Sequence, residues 1–284
     1  MTTVAELQIA APVAPWQQLG LTVADGTSRV GGITLRFVDG PGQGVTGWTL
    51  ADAPTDATDI DGLATGHGEP PTGERPQDSL GIRSWDHLVV MTSSLERTCA
   101  AIEAATAAPL KRIREAGAIR QGFHRLGELI IEVVESPQVT GPTAAFWGFV
   151  WNVHDLHDVC DRLGPDVIGL PKPAVQPGRF IATVRAGFGL GVPLALMTPL
   201  TREPRATAHR PAVVWSLPVS PSPLRCWRAL SPPAGPMLPR PANSAWRLRR
   251  ARPSPGVQGA PAAMVAQMVG PPSARRGSVC GAPA

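Results

Sequence analysis

The clearest alternation of apolar and polar positions lies at Asp86-His87-Leu88-Val89-Val90-Met91. On a strand, His87, Val89 and Met91 fall on one face and Leu88 and Val90 on the other. The period then lengthens. Leu95, Cys99 and Ile102 stand at i, i+4 and i+7, the apolar stripe of a helix. Ser93 and Glu96 have the spacing of a capping box at its start. Three more strands are expected over 110–114, 120–125 and 129–134, with Gly117 and Gly127 at turns.

The same order recurs, with Leu156 standing 61 positions after Leu95. Phe146 to Val153 reads as the strand. A helix follows over 155–163, with Leu156, Val159, Cys160 and Leu163 inward, and Gly164-Pro165 stops it. Strands near 167–168, 179–184 and 192–197 complete the unit. A strand-helix unit repeated at this spacing predicts a fold of two similar halves.

The flanking segments read differently. Strands are expected at 4–9, 29–38 and 44–50, with a short helix ending near Leu19. Arg29–Val38 aligns without gaps on Arg125–Val134, so the N-terminus is a candidate partial copy. Residues 51–84 are rich in Pro, Gly, Asp and Thr and read as a linker. Residues 200–284 hold 16 Pro and 12 Arg, a composition without a packed core. The expected organisation is a partial module at 1–50, a linker at 51–84, a domain of two modules at 85–199 (85–136 and 145–199), and a disordered tail at 200–284.

Charge sharpens this division. The net charge is +4, yet residues 201–284 carry 12 Arg, no Lys and one acid, Glu203. The body is therefore mildly acidic, and no specific nucleic-acid partner is expected for it. The tail is either a basic arm for anionic surfaces or an incidental extension, such as a shifted reading frame. Its lack of Lys beside abundant Arg, Pro and Ala favours the second. The four Cys have no zinc-knuckle or redox spacing. There is no secretory signal and no long apolar run, so a cytoplasmic location and no membrane partner are expected.

The run Asp86-His87-Leu88-Val89-Val90, then Leu95-Glu96-Arg97, closed by Leu129-Ile130-Ile131-Glu132-Val133-Val134, resembles the vicinal oxygen chelate superfamily. More narrowly, it is similar to actinobacterial glyoxalase-like domain proteins. The resemblance covers 85–199, and 4–50 less closely. It implies an α+β fold of paired βαβββ modules curled around a shared pocket. It also implies a divalent ion (Zn, Fe, Ni or Mn) held by His87 on the first strand and Glu132 on the last. Lyase, isomerase or dioxygenase chemistry on a small oxygen-rich molecule would follow, with Glu132 doubling as a base where the ion is absent. A carboxylate in so apolar a strand needs solvent or a partner, which supports the pair independently.

The second half departs from that pattern. Gly148 stands at the position of His87, and Val192 to Met197 contains no ligand. In the N-terminal copy Arg36 stands at the position of Glu132. Two protein ligands are fewer than the three usual in catalytic zinc sites. A homodimer could supply others. The alternative is a metal-free binding module, with His87 simply hydrogen-bonded to Asp86 or Glu132. His124 is a candidate third ligand or proton carrier, its ordinary role being that of a hydrogen-bonded strand residue. His67, His154 and His157 are expected to be loop or capping residues. By period two, Trp147, Phe149 and Trp151 share a face and could line a substrate pocket, with core packing as the plainer role.

Overall fold

The computed structural model describes residues 1–40, 43–73 and 76–200. Residues 201–284, and with them the expected tail, lie outside the described part. Among the described residues no helix is long and apolar enough to cross a membrane.

The elements in order are β1 (Thr3–Ala10), α1 (Val13–Leu19), β2 (Thr27–Val30), β3 (Ile33–Val38), β4 (Gly44–Ala51), β5 (Asp59–Ile60) and β6 (Leu63–His67). They continue with β7 (Ile82–Thr92), α2 (Leu95–Thr106), β8 (Arg112–Ala116), β9 (Ile119–Leu126) and β10 (Leu129–Glu135). The last are β11 (Ala145–Val153), α3 (Leu156–Leu163), β12 (Lys172–Pro173), β13 (Phe180–Thr183) and β14 (Leu194–Met197).

The repeat read from the chain becomes one 8-stranded sheet, ordered β12-β13-β14-β11-β7-β10-β9-β8. In each half the first and last strands pair in parallel, β7 with β10 and β11 with β14. The halves join where β7 and β11 run antiparallel. This is the expected α+β fold of paired βαβββ modules.

The helix starts are set by local chemistry. Ser94, rather than the expected Ser93, accepts from Arg97 N and caps α2. The Ser93 hydroxyl instead donates to Gly141 O, and Glu96 pairs with Arg120. Asp155 caps α3 by accepting from Asp158 N at 3.0 Å. Both caps supply an acceptor to a backbone N–H that the first helical turn cannot satisfy.

The N-terminal sheet follows the same plan in reduced form, with strand order β2-β3-β1-β4-β6-β5. Parallel β1–β3, antiparallel β1–β4 and parallel β4–β6 repeat the pairings of the larger sheet. The expected single strand at 29–38 is a hairpin, turning at Gly31 with φ +60°. Gly127, at the matching position between β9 and β10, has the same φ of +60°. The linker expected over 51–84 gives way to β5 and β6, and β7 begins at Ile82. Asp, Gly and Thr in that stretch serve short strands and tight turns, which composition alone does not distinguish from a linker. The expected strand at 167–168 is a single bridge from Ile168 to Val184, and the edge strand is β12.

One continuous cluster of buried apolar side chains runs from Val4 to Leu196 and joins the inner faces of both sheets. Trp16 of α1 is fully buried, and its ring centroid lies 6.2 Å from both Phe149 and Trp151 of β11. Its indole N–H donates to Leu190 O at 3.1 Å. Trp16→Ala is expected to lower the unfolding free energy by about 3–5 kcal/mol. Because the core is shared, denaturant unfolding followed by fluorescence and by circular dichroism should stay a single coincident transition. Two separated transitions would show instead that the two sheets fold independently.

Candidate functional site

The outward face of the larger sheet carries the site. Ile130 pairs with His87 and Glu132 with Val89, so β7 and β10 present His87 and Glu132 side by side. His87 Nε2 lies 3.3 Å from Glu132 Oε2. Leu88, Val90, Ile131 and Val133 point the other way, into the shared core.

A bulge puts a second carboxylate beside them. Val150 pairs with His87 and Trp151 with Trp85, leaving Asp86 as an extra residue in β7. Trp85 and Leu88 both face the core, while Asp86 and His87 both face the cleft. Strict alternation would have sent Asp86 to the opposite face. Asp86 Oδ1 instead lies 2.8 Å from His87 Nδ1. Its other oxygen accepts from Arg179 at 2.6 Å. Arg179 is nearly fully buried and is held by Asn152 Oδ1 at 2.5 Å, Thr198 O at 2.8 Å and Gln176 Oε1.

These contacts set the charges. Burial raises the Asp86 carboxyl, but the hydrogen bonds and charges of His87 and Arg179 outweigh it and hold it down at about 2. Burial lowers His87, but the Glu132 charge and the bond to Asp86 outweigh it, and its pKa is raised. With Nδ1–H given to Asp86, the neutral ring turns a lone pair at Nε2 toward an anionic oxygen. Nε2 is buried and makes no hydrogen bond. A proton or a metal cation between them would remove that repulsion.

Gln121 of β9 adds a third group. Its Nε2 donates to Glu132 Oε1 at 2.5 Å, while its own Oε1 is buried without a partner. Nitrogen from His87, carboxylate from Glu132 and amide oxygen from Gln121 form a donor set that suits Zn, Fe, Ni or Mn. Among the described residues no group of three His, Cys, Asp or Glu is placed to hold a metal ion. The groups border a cavity of ≈ 110 Å³, whose lining also includes Ala174–Gln176, Ile181 and Met197.

At the strand positions equivalent to His87 and Glu132 the second half offers no metal donor. Between Phe146, opposite Val90, and Gly148, opposite Val89, Trp147 is an extra residue in β11. The bulge thus recurs at the equivalent place, with Trp147 and Gly148 where the first half has Asp86 and His87. A Cβ on Gly148 would collide with Pro193 O, so no side chain fits there without a backbone shift. Val150, Ala195 and Met197 cluster as apolar neighbours on the same side.

The expected aromatic pocket is not formed. Phe149 and Trp151 are buried in the core between the sheets, against Trp85 at 5.1 and 5.6 Å. Trp147 alone faces the cleft side, packed on Val89, Met91 and Val134. The bulge breaks the alternation that would have kept the three together. His124 is also turned away from the cleft, with Nδ1 2.9 Å from Ala108 O. Burial pushes its pKa down, only partly offset by that bond. Arg179, Asn152 and Gln121 lie far from His87 in sequence, and no spacing signal pointed to them.

The chain matches no family model and no curated protein. It is similar to several solved structures. Methylmalonyl-CoA epimerase from Mycobacterium tuberculosis aligns at 14% identity over 43% of this chain and 91% of that one, with a TM-score of 0.37. A complex of the Streptomyces coelicolor epimerase with 2-nitronate-propionyl-CoA aligns at 14% over 42% and 99%, with a TM-score of 0.36. A mutant of 4-hydroxymandelate synthase from Streptomyces coelicolor aligns at 13% over 69% and 92%, with a TM-score of 0.48. These likenesses are remote. The strand order itself is that of the paired modules implied by the resemblance to the vicinal oxygen chelate superfamily.

The buried ion pairs predict two pH effects in chelator-treated protein. His87 is raised above its ordinary 6.5, so its stabilising contribution is complete below that value. It is lost as pH rises through the higher folded value, and His87→Gln should flatten the stability profile there. Asp86 is lowered from 3.8 to about 2, so its contribution of roughly 2 kcal/mol is present above 3.8 and lost as pH falls through about 2. Asp86→Asn should lower the urea midpoint at pH 7 and weaken the loss of stability in acid. An unchanged pH profile in both variants would contradict the pairing.

Proposed function

We propose that this chain is a glyoxalase-like protein that binds a small oxygen-rich molecule in the cleft of its larger sheet. His87 and Glu132 would hold a divalent ion there, with Gln121 as third donor. The observation that carries the reading is His87 Nε2, buried without a hydrogen bond and 3.3 Å from a carboxylate oxygen. Asp86 stands behind the imidazole as the carboxylate that fixes its orientation and raises its basicity as a ligand. Such an ion supplies Lewis acidity, polarising a substrate carbonyl or lowering the pKa of a bound water.

The chain's own groups have separate tasks. Where no ion is bound, Glu132 would serve as the base, taking a proton from a carbon or hydroxyl of the ligand. Gln121 fixes the carboxylate by donating from its Nε2 to Glu132 Oε1. Arg179 keeps Asp86 ionised and so keeps the Nδ1 proton in place. The reaction class this favours is a lyase, isomerase or dioxygenase step on a small oxygenated compound.

A second reading has its own observation. The facing module offers Gly148, Val150, Ala195 and Met197, none of which is a donor. A metal-free binding module would need no more, with a proton on His87 as the cation opposite Glu132.

Metal content of the full chain, measured by mass spectrometry beside His87→Ala and Glu132→Ala, separates the two. Near-stoichiometric metal lost in both variants, and reduced in Gln121→Ala, is expected. Well-folded wild-type protein that takes up no Zn, Fe, Ni or Mn under saturating supply would refute the metal reading and leave the binding module.

A further inference from the structure

We propose that the mouth of this cleft is a carboxylate clamp, in which Arg112 and Arg114 of β8 grip the acid group of a small organic acid. The inference builds on the small-molecule cleft described above and names the chemical class of its ligand.

Arg112 and Arg114 are two apart on an edge strand, so they share one face. Ile113 between them points the opposite way, to solvent, with 46% of its surface exposed. Register fixes which face the arginines take. Arg112 pairs with Phe123, which pairs with Glu132, and Arg114 pairs with Gln121. Both arginines therefore stand in line with the polar floor of the cleft, and both border its cavity together with His87 and Glu132.

Their charges are unanswered. Arg36, Arg97, Arg120, Arg162 and Arg179 each have a carboxylate partner within 4.0 Å. Among the described residues no ion pair is formed by Arg112 or Arg114. The acids of the cleft are already engaged, Asp86 by Arg179 and Glu132 by Gln121 and His87. Arg112 is also held in place, its guanidinium lying 4.6 Å from the centre of the Phe123 ring. Such stacking orients the planar fork without using its N–H donors.

Two forks with free donors at the rim of a small cavity select a compact oxyanion. A carboxylate brings one charge. A phosphate dianion would bring a second toward Glu132, so the geometry favours the carboxylate. The cavity of ≈ 110 Å³ suits the acid end of a small organic molecule. Its acid end would sit on β8 and its oxygenated carbon toward His87 and Glu132.

Calorimetric titration of the full chain with lactate, the neutral lactamide and inorganic phosphate tests this. Lactate is expected to bind, lactamide to bind at least about tenfold more weakly, and Arg112→Gln or Arg114→Gln to cost lactate about tenfold each. Higher salt should weaken lactate binding at this open rim. Arg125→Gln removes the same charge from an exposed position on β9 outside the cavity and should leave the affinity unchanged. Wild-type protein that takes up no metal yet binds lactate through both arginines would break the ion reading alone. Intact metal content with no lactate binding, equal binding of lactamide, tighter binding of phosphate, or indifference to both arginine changes would overturn the clamp.

Discussion

The antiparallel seam between β7 and β11 governs both the fold and the site. It joins the two modules into one sheet, and each of its strands carries an extra residue there, Asp86 on one and Trp147 on the other. A bulge lets two consecutive side chains face the same way, which a regular strand forbids. On β7 it gives the cleft a carboxylate and an imidazole side by side. On β11 it gives the cleft an indole and a glycine, and returns Phe149 and Trp151 to the core. The chemical asymmetry of the two halves thus arises from one shared distortion filled by different residues.

From that seam a line of polar groups crosses the sheet, from Asn152 and Arg179 through Asp86 and His87 to Glu132 and Gln121. Charge alternates along it from Arg179 to Asp86, and on through His87 to Glu132 when the imidazole carries a proton. Buried charges persist only under such pairing, and removing one member leaves its partner exposed to the low dielectric. The break in the line is at His87 Nε2, where lone pair meets carboxylate unless a cation intervenes. The network is therefore electrostatically incomplete at this one point of the cleft.

The N-terminal sheet shows what the same plan becomes without that demand. Arg36, at the position of Glu132 in the repeat, meets Glu6 of β1 in a two-point ion pair at 2.7 and 2.9 Å. Glu6 and Arg36 satisfy each other on a partly solvated surface, a contact worth at most about 1 kcal/mol. The sheet's larger contribution is apolar. Trp16, Trp48 and Leu50 complete the core on which the inner face of the larger sheet rests.

The sequence by itself determined the modules. Period-two runs, the helix stripe from Leu95 to Ile102 and the recurrence at Leu156 are local patterns, and hydrophobic burial enforces them wherever the segments pack. It also marked Glu132, because a carboxylate within an apolar strand requires a partner, while His87 was marked by the family resemblance. It misread 51–84, since strands as short as β5 and β6 carry too few residues for a period to register. Tertiary structure alone decided the rest. A bulge depends on how two strands meet, so neither the turn of Asp86 into the cleft nor the loss of Phe149 and Trp151 from it is encoded in either strand. Arg179 reaches Asp86 across 93 positions of chain, and Arg112 and Arg114 reach the cleft only through the register of β8 on β9. Long-range pairing creates such contacts, and no local spacing in the sequence records them.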